Sequence, residues 1–383
     1  MKQIAIIGAG ISGLFVANLF KANQNYKVTI FEKKNLIDLG EGYGIQLSTN
    51  SIKLLNKIGF NEISANDKFN PEKLDFYEIK KQKKICDLNI SQFNLGNCKY
   101  TTLKRSTLIE FLKNRLDDEV IKYDHSIEQI EIKNQQISLS FNKNQNLIYD
   151  HLIISDGVFS KGKSLVSNNM TKPIYNNCIA IRGNISKNSI SNINEMNISL
   201  FVGSDFHYVI YPVSQTTDAF NFIGVLKYNL TANELDNYSL FNDQNFITNM
   251  KNKLNNKISS NILNTLSNIK CFPIFVSKDF YKPAKNIYLV GDAFFAFPPS
   301  FAQGASQSIE GASELFDSIM NERDDFYNRR LTRAKMINNR SKINQFAFHL
   351  SNPLAVFFRN VCLKILTKNN KFLDNYLGKI YKN

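Results

Sequence analysis

Gly8, Gly10 and Gly13 stand in GxGxxG spacing within "KQIAIIGAGISGLFVANLF", and the chemistry such a turn performs is the holding of a pyrophosphate. An Ile-rich run from Gln3 to Ile7 precedes the glycines and reads as a fully buried parallel strand. Leu14, Ala17 and Leu19 follow at helical spacing. Gly8 permits the tight turn, Gly10 lets backbone approach the phosphates, and Gly13 lets helix pack on strand. The helix start, with Ile11 and Ser12, supplies N–H donors and the positive end of a dipole. A second run, "KVTIFEK", ends in Glu32 beside Lys33, about 20 residues on, where a carboxylate accepts from ribose hydroxyls. An acid here favours a ribose without a phosphate. Strand, glycines, helix, strand and acid in that order predict a dinucleotide site, without separating FAD from NAD.

Two further carboxylates sit where ligands bind in open α/β sheets, at the ends of apolar strands. "LIISDGVFS" ends in Asp156 and Gly157, and "NIYLVGDAFFAF" carries Gly291 and Asp292. The late block therefore returns to the sheet that the chain began. Pro298 and Pro299 stiffen a turn, and "AQGASQSIEGASELF" opens a helix at Ala302, Gln303, Gly304 and Ala305 whose first N–H groups are free to face an anion. One cofactor is gripped from both ends of the sequence.

The elements that position these residues follow from composition and pattern. A chain of 383 residues, 43% hydrophobic, buries a large core and suggests two domains. The net charge of +14 comes mostly from Lys scattered among Asn. No basic block is interleaved with aromatics, so a nucleic-acid partner is not expected. Five cysteines without CxxC spacing support neither a disulfide framework nor a metal site and fit a reducing cytoplasm. Ile4 to Phe20 is apolar, but three glycines, Ser12 and Asn18 interrupt it, so it reads as strand plus helix and not as a signal segment. From Arg182 to about Asn268 short alternating strands predict a mostly antiparallel sheet inserted into the cofactor domain. Thr231 in "YNLTANELDNYS" has the position of a helix cap. Beyond Phe316 the chain turns helical and basic, and two readings stay open. Arg329, Arg330 and Arg333 near Phe348 and Leu350, then Phe357, Phe358, Leu363, Ile365 and Leu366 amid lysines, make either a helix pair packed on the body or an amphipathic face for a membrane surface. The expected boundaries are residues 1–175 with 271–320 for the cofactor domain, 176–270 for the substrate domain and 321–383 for the helical region.

In the order and spacing of its three blocks, the GxGxxG with Glu32, "SDG" at Ser155 to Gly157 and "GDAFFAFPPSFAQGASQSIEGA" from Gly291, the chain resembles the flavin-dependent aromatic hydroxylases. These single-component monooxygenases include para-hydroxybenzoate hydroxylase, salicylate hydroxylase and the ubiquinone-biosynthesis hydroxylases. The resemblance runs from Gln3 to about Arg333. It implies an α/β fold with a Rossmann-type FAD-binding domain, bound FAD, and NAD(P)H as a transient co-substrate, since no second GxGxxG is present. It implies that Arg105 contacts FAD, that Arg182 opens the substrate domain, and that His207, Tyr211 and Pro212 line the substrate pocket. "EGYGIQLSTNSIKLLNKIG" resembles the salicylate-hydroxylase branch.

The implied reaction is hydroxylation of a phenolic or aromatic acid through a flavin C4a-hydroperoxide formed with O₂. His207 is then the candidate base, because its ordinary pKa lies near working pH. Tyr211 is a candidate phenolic donor, and Pro299 with the peptides from Ala302 to Gly304 lies where donors must meet a reduced flavin. In the late block relatives carry His, Gly, Asn and Asp where this chain has Phe295, Ala302, Ser306 and Gly311. Ala302 gives up a glycine's φ freedom, so a shifted backbone is expected there. Lys163 also stands where an Arg is common. Alternatives are a hydroxylase of a ubiquinone precursor, an epoxidase or oxidase of a non-aromatic substrate, and a flavin-binding protein without turnover. Either a monomer or a homodimer is compatible with the sequence.

Overall fold

Isoleucines set the first layer. In the computed structural model, which describes residues 1–40, 42–133, 136–142, 145–168, 172–190, 193–216 and 218–382, the strand Lys2–Ile7 is the middle of a five-stranded sheet. The order is Ile287–Leu289, His151–Ile154, Lys2–Ile7, Tyr26–Phe31, Ile121–Lys122, and every pairing is parallel. Ile4, Ala5 and Ile6 have no exposed surface, because the helix Ile11–Lys21 and the antiparallel strands Ile127–Lys133, Gln136–Phe141 and Gln145–Tyr149 pack against this sheet. The helix Ile11–Lys21 packs directly on the late helix Gly304–Met320. The first and last thirds of the chain thus share one core.

A second sheet has seven strands, in the order Ser267–Val276, Ile174–Ser186, Ala219–Lys227, Phe206–Tyr211, Ile198–Gly203, Lys73–Glu78, Lys83–Asn89. All its pairings are antiparallel except that of Ile198–Gly203 with Lys73–Glu78. The alternating strands expected from Arg182 to about Asn268 form its centre. Two strands from residues 73–89 extend it on one side, however, and its opposite edge strand runs on to Val276. Such long-range pairing leaves no mark in a local pattern, and the Lys-rich turn at 80–84 hides the alternation beside it.

Alternation on Phe206–Tyr211 sorts the sheet's two faces. Phe206, Tyr208 and Ile210 pack under the helices Gln244–Leu254 and Ser260–Thr265; His207, Val209 and Tyr211 look the other way. Thr231 does cap a helix, in a reciprocal capping box with Glu234.

The C-terminal region is helical as expected, with Phe326–Phe348 and Pro353–Leu366 as its long members. Two of the arginines considered for a surface face are internal. Arg330 Nη1 and Arg333 Nε bond Glu310 Oε1 at 2.9 Å and 2.6 Å, and Arg330 is 3% exposed. A buried carboxylate on the late helix needs these partners, so they cannot also face outward.

Candidate active site

At the nucleotide end the three glycines do different work. Gly8 has φ +99°, and a Cβ there would lie 2.8 Å from the Asp156 backbone. At Gly13 it would lie 2.1 Å from the Gly8 carbonyl and 2.6 Å from Ser155 Oγ, so helix and strand touch. Ser155 completes the join by donating to the Ile7 and Gly8 carbonyls. Around Gly10, by contrast, nothing lies within 4 Å, which leaves the space a pyrophosphate requires. Glu32 holds the turn from the second strand: Oε2 accepts from the Ala9 N–H at 2.9 Å and Oε1 from the Lys34 N–H at 3.0 Å. Lys33 is exposed, while Ser12 is buried against Gly291, where a Cβ would meet its hydroxyl.

Asp156 is engaged locally. Ser160 donates its hydroxyl to one oxygen and the Gly162 N–H reaches the other at 2.9 Å, anchoring the short helix Lys161–Val166. Burial pushes this carboxyl up, against the pull of those donors. Beside it Gly157 borders open space. Lys163 is buried, and burial lowers its ammonium pKa against the attraction of Asp156 and Asp279.

The late turn brings together the remaining residues expected to meet the cofactor. Asp292 is pushed up to about 6 by burial, with Arg105 opposing, and both line one cavity. Pro299–Phe301 forms a single 3₁₀ turn, followed by Ala302 at φ +51°, ψ +36°. The backbone expected to shift at Ala302 instead keeps the left-handed turn, with a side chain where glycine would be relaxed. The helix Gly304–Met320 then starts with no side-chain cap. The Gly304 and Ala305 amides have no hydrogen-bond partner among the described residues. Next to them Gln303, 2% exposed, leaves Nε2 unpartnered. These are donors for an electron-rich ring edge.

The other departures are absorbed by packing. Ser306 Oγ accepts from the Ser48 N–H at 3.0 Å and from the Ser51 hydroxyl at 3.1 Å, tying the helix Thr49–Asn56 to the late helix. Phe295 stacks on Phe280 at 4.2 Å between centroids. At Gly311 the Arg330 side chain lies where a Cβ would point.

Between the seven-stranded sheet and the C-terminal helices lies a cavity of about 960 Å³. Val209, Ile223, Phe297, Phe301 and Phe348 are among its apolar walls, and Pro299 and the segment 302–305 form its head. One set of its polar groups centres on Gly44 and Gln46. Tyr100 donates its hydroxyl to Gln46 Oε1 at 2.8 Å, and Arg182 donates to the Gly44 carbonyl at 3.3 Å with its guanidinium 5.5 Å from the Tyr43 ring centroid. Tyr211 belongs to this group: burial raises its phenol to about 12, although Arg182, Gln46 and Asn221 favour the anion. It remains a donor at neutral pH.

His207 lies in the same wall, yet the premise that made it a base does not hold. It is 2% exposed, and its Nδ1 is 2.8 Å from His349 Nε2. Burial and the neighbouring imidazole push its pKa well below the ordinary value, so it stays neutral. The stretch from Gln46 to Ser51 was expected to feed the pocket, but sequence reasoning missed Tyr100 and Tyr381, which join Gln46 in a polar group; Tyr100 and Tyr381 are paired across the cavity edge. They lie some 280 positions apart in the chain, and no local signal joins them.

Residues 6–37 match the family model of the NAD(P)-binding Rossmann-like domain. Among curated proteins no sequence match is found. Among solved structures, Klebsiella pneumoniae HpxO in complex with FAD and uric acid superposes with a TM-score of 0.82 at 16% identity, over 98% of this chain and 97% of that one. A salicylate hydroxylase substrate complex gives 0.80 at 15% identity, over 100% and 95% of the two chains. The 2,6-dihydroxypyridine-3-hydroxylase of Arthrobacter nicotinovorans gives 0.77 at 15%, over 91% and 93%. The chain has the fold of these proteins along nearly its whole length.

Proposed function

We propose that the protein is an FAD-dependent monooxygenase that hydroxylates a small aromatic substrate, with electrons from NAD(P)H and oxygen from O₂. The observation that carries this reading is the set of unbonded donors at Gln303, Gly304 and Ala305 facing an apolar chamber that Asp292 also lines, with open space over Gly10 at the end of the first parallel strand. That is room and polarity for a dinucleotide whose ring abuts a substrate. Solved proteins of the same fold bound to FAD and uric acid, or to the substrate of a salicylate hydroxylase, support it.

In this reading Gly8, Gly10, Ile11, Ser12 and Gly13 hold the pyrophosphate, and Glu32 with Lys33 meets the ribose. Arg105, Asp156, Gly157, Gly291 and Asp292 frame the cofactor along the strand ends. Pro299 and the peptides from Ala302 to Ala305 meet its ring. FAD, when bound, supplies the electron relay and the activation of oxygen. The chain's own residues do the rest. Arg182 places positive potential where a phenol binds and so favours its ionised, electron-rich form. Tyr211, held protonated, orients the substrate oxygen by donating to it. Apolar walls exclude water from the reacting centre. His207 supports that wall as a neutral packing group. Asp292, which lines the same cavity with its carboxyl raised to about 6, is a group able to take up a proton.

With no second glycine turn in the sequence, NAD(P)H binds transiently in a groove. A ubiquinone precursor fits the apolar chamber as a second substrate class. An inert flavin-binding protein fits less well, because Ala302 retains the turn that its substitution was expected to lose. All five cysteines are free, in keeping with work in the cytoplasm, in its aqueous phase or at a membrane surface.

The test is a flavin absorption spectrum of the purified protein, followed by NADH and NADPH oxidation against a panel of phenolic acids and quinone precursors. A bound flavin whose reduction one aromatic accelerates, with that aromatic gaining one oxygen, is the expected result. Protein that binds no flavin sinks the reading together with every cofactor residue named.

A further inference from the structure

Pro353–Leu366 is an inside-out helix. Its one buried residue is Arg359, which lines the cavity and, among the described residues, bonds only Asn360 Oδ1, at 2.9 Å and 3.1 Å, and the Ala347 carbonyl at 3.5 Å. Its outward side carries Leu354, Phe357, Phe358, Val361 and Ile365 at i, i+3, i+4, i+7 and i+11, one continuous stripe at helical period. Phe357 and Phe358 are 61% and 63% exposed. At the end of the preceding long helix Ile343 and Phe346 are exposed as well. Scattered exposed apolar residues are ordinary, whereas a continuous stripe of this size marks a contact surface.

The charges around the stripe decide what it contacts. From Phe326 to Leu373 the sequence holds no Asp or Glu. Lys342, Lys364, Lys368 and Lys371 are exposed there, and none forms an ion pair among the described residues. A second copy of this chain would bring the same cations against them. An anionic lipid surface is complementary, with the aromatic side chains sunk at the headgroup boundary and the ammonium groups on phosphates. Among the described residues no helix is long and apolar enough to cross a membrane, so the helix would lie in the surface. The same helix forms a wall of the cavity through Cys362, Leu363 and Leu366, and Ile343 both lines the cavity and faces outward. The apolar stripe and the apolar chamber are therefore continuous.

We propose that the outward face of Pro353–Leu366, with the end of the helix before it, seats the protein on an anionic bilayer and opens the cavity toward the lipid. The docking stands independently of the flavin reading; that the chamber then takes a lipid-borne substrate rests on it.

Cys362 is the one exposed cysteine among the described residues and sits on this helix, so its native thiol takes an environment-sensitive fluorophore. The full chain is mixed with vesicles of phosphatidylcholine alone or with phosphatidylglycerol added, and sedimentation and emission are read together. The expected result is at least about tenfold tighter binding to the anionic vesicles, a blue shift of the label, and reversal by salt. Phe357→Ser with Phe358→Ser should weaken binding by on the order of tenfold or more, and Lys364→Glu with Lys368→Glu should abolish the preference for anionic lipid. Flavin content and far-UV circular dichroism, read on each variant, separate lost docking from lost folding. No binding to either vesicle, binding without a blue shift, or a lipid-free dimer in light scattering that protects Cys362 from labelling would each overturn the proposal. Absence of bound flavin would leave the docking result intact and remove only the substrate route.

Discussion

His207 Nδ1 and His349 Nε2 lie 2.8 Å apart in a hydrogen bond, which requires one of the two nitrogens to be unprotonated and is lost when both rings are charged. Burial drives the His349 pKa from 6.5 to about 4, and burial together with the His349 imidazole holds that of His207 well below its ordinary value. Both histidines titrate near 6.5 once unfolded. The unfolded chain therefore binds more protons as the pH falls, and stability present above pH 6.5 is lost on the way down to about pH 4. His349 alone accounts for on the order of 3 kcal/mol of that loss. Urea denaturation at stepped pH should show the decline, and His349→Leu should flatten it. Asp292 carries the opposite sign. Its carboxyl is raised from 3.8 to about 6, so the native state holds the proton longer and ionisation costs stability above pH 6. Asp292→Asn should stabilise the flavin-free protein at pH 7.5 by up to about 2 kcal/mol, the gain fading as the pH falls through 6 toward 3.8. A constant gain across that range would show that the carboxyl is not the cause.

Gly10 and Gly13 begin the same helix but answer to different neighbours, which separates binding from folding at the scale of the element. A methyl at Gly13 must displace the Gly8 carbonyl or Ser155, and Gly13→Ala should cost about 3 kcal/mol or more by forcing helix and strand apart. Gly10→Ala meets nothing; it should leave the melting temperature of the flavin-free protein nearly unchanged while weakening FAD binding at least about tenfold. Calorimetry of both variants with and without FAD checks the split. The parallel sheet and its glycine turn were legible in the sequence because strand, turn and helix are local and each residue type has one physical reason to be there. The seven-stranded sheet was legible only at its centre, where strands follow one another. Lys73–Glu78 joins Ile198–Gly203 across more than a hundred residues, and nothing in either segment encodes its partner. The site divides in the same way. Gly291 through Ala305 could be read from one block, whereas the Gln46, Tyr100 and Tyr381 group and the His207–His349 pair exist only because the fold closes distances. Burial then reset the pKa on which the choice of His207 depended.

Across the whole molecule, one buried carboxylate joins the cofactor layer to the helices that roof the chamber. Glu310 lies on the helix whose first turn carries the unpartnered Gly304 and Ala305 amides, and its oxygens take bonds from Asn50, Gln307, Arg330 and Arg333. Burial alone would raise its pKa, yet the two guanidinium groups hold it below the ordinary carboxylate value. Arg333 also donates to the Lys379 and Ile380 carbonyls, so the chain's last turns hang on the same point. Removing the charge leaves two guanidinium groups in a site built to neutralise them. Glu310→Gln should therefore cost about 3–5 kcal/mol, more than the loss of any single surface pair, which is worth about 1 kcal/mol or less. Because Arg333 loses its anchor as well, residues 370–382 should gain hydrogen-exchange rate before the parallel sheet does. Protection lost equally in the sheet Lys2–Ile7 would mean that the carboxylate serves the core at large and does not specifically clamp the roof. A loosened roof widens the chamber between Phe348 and the sheet without touching Gly8 through Gly13. The variant should thus keep its affinity for the adenine half of the cofactor while losing control of water around the ring.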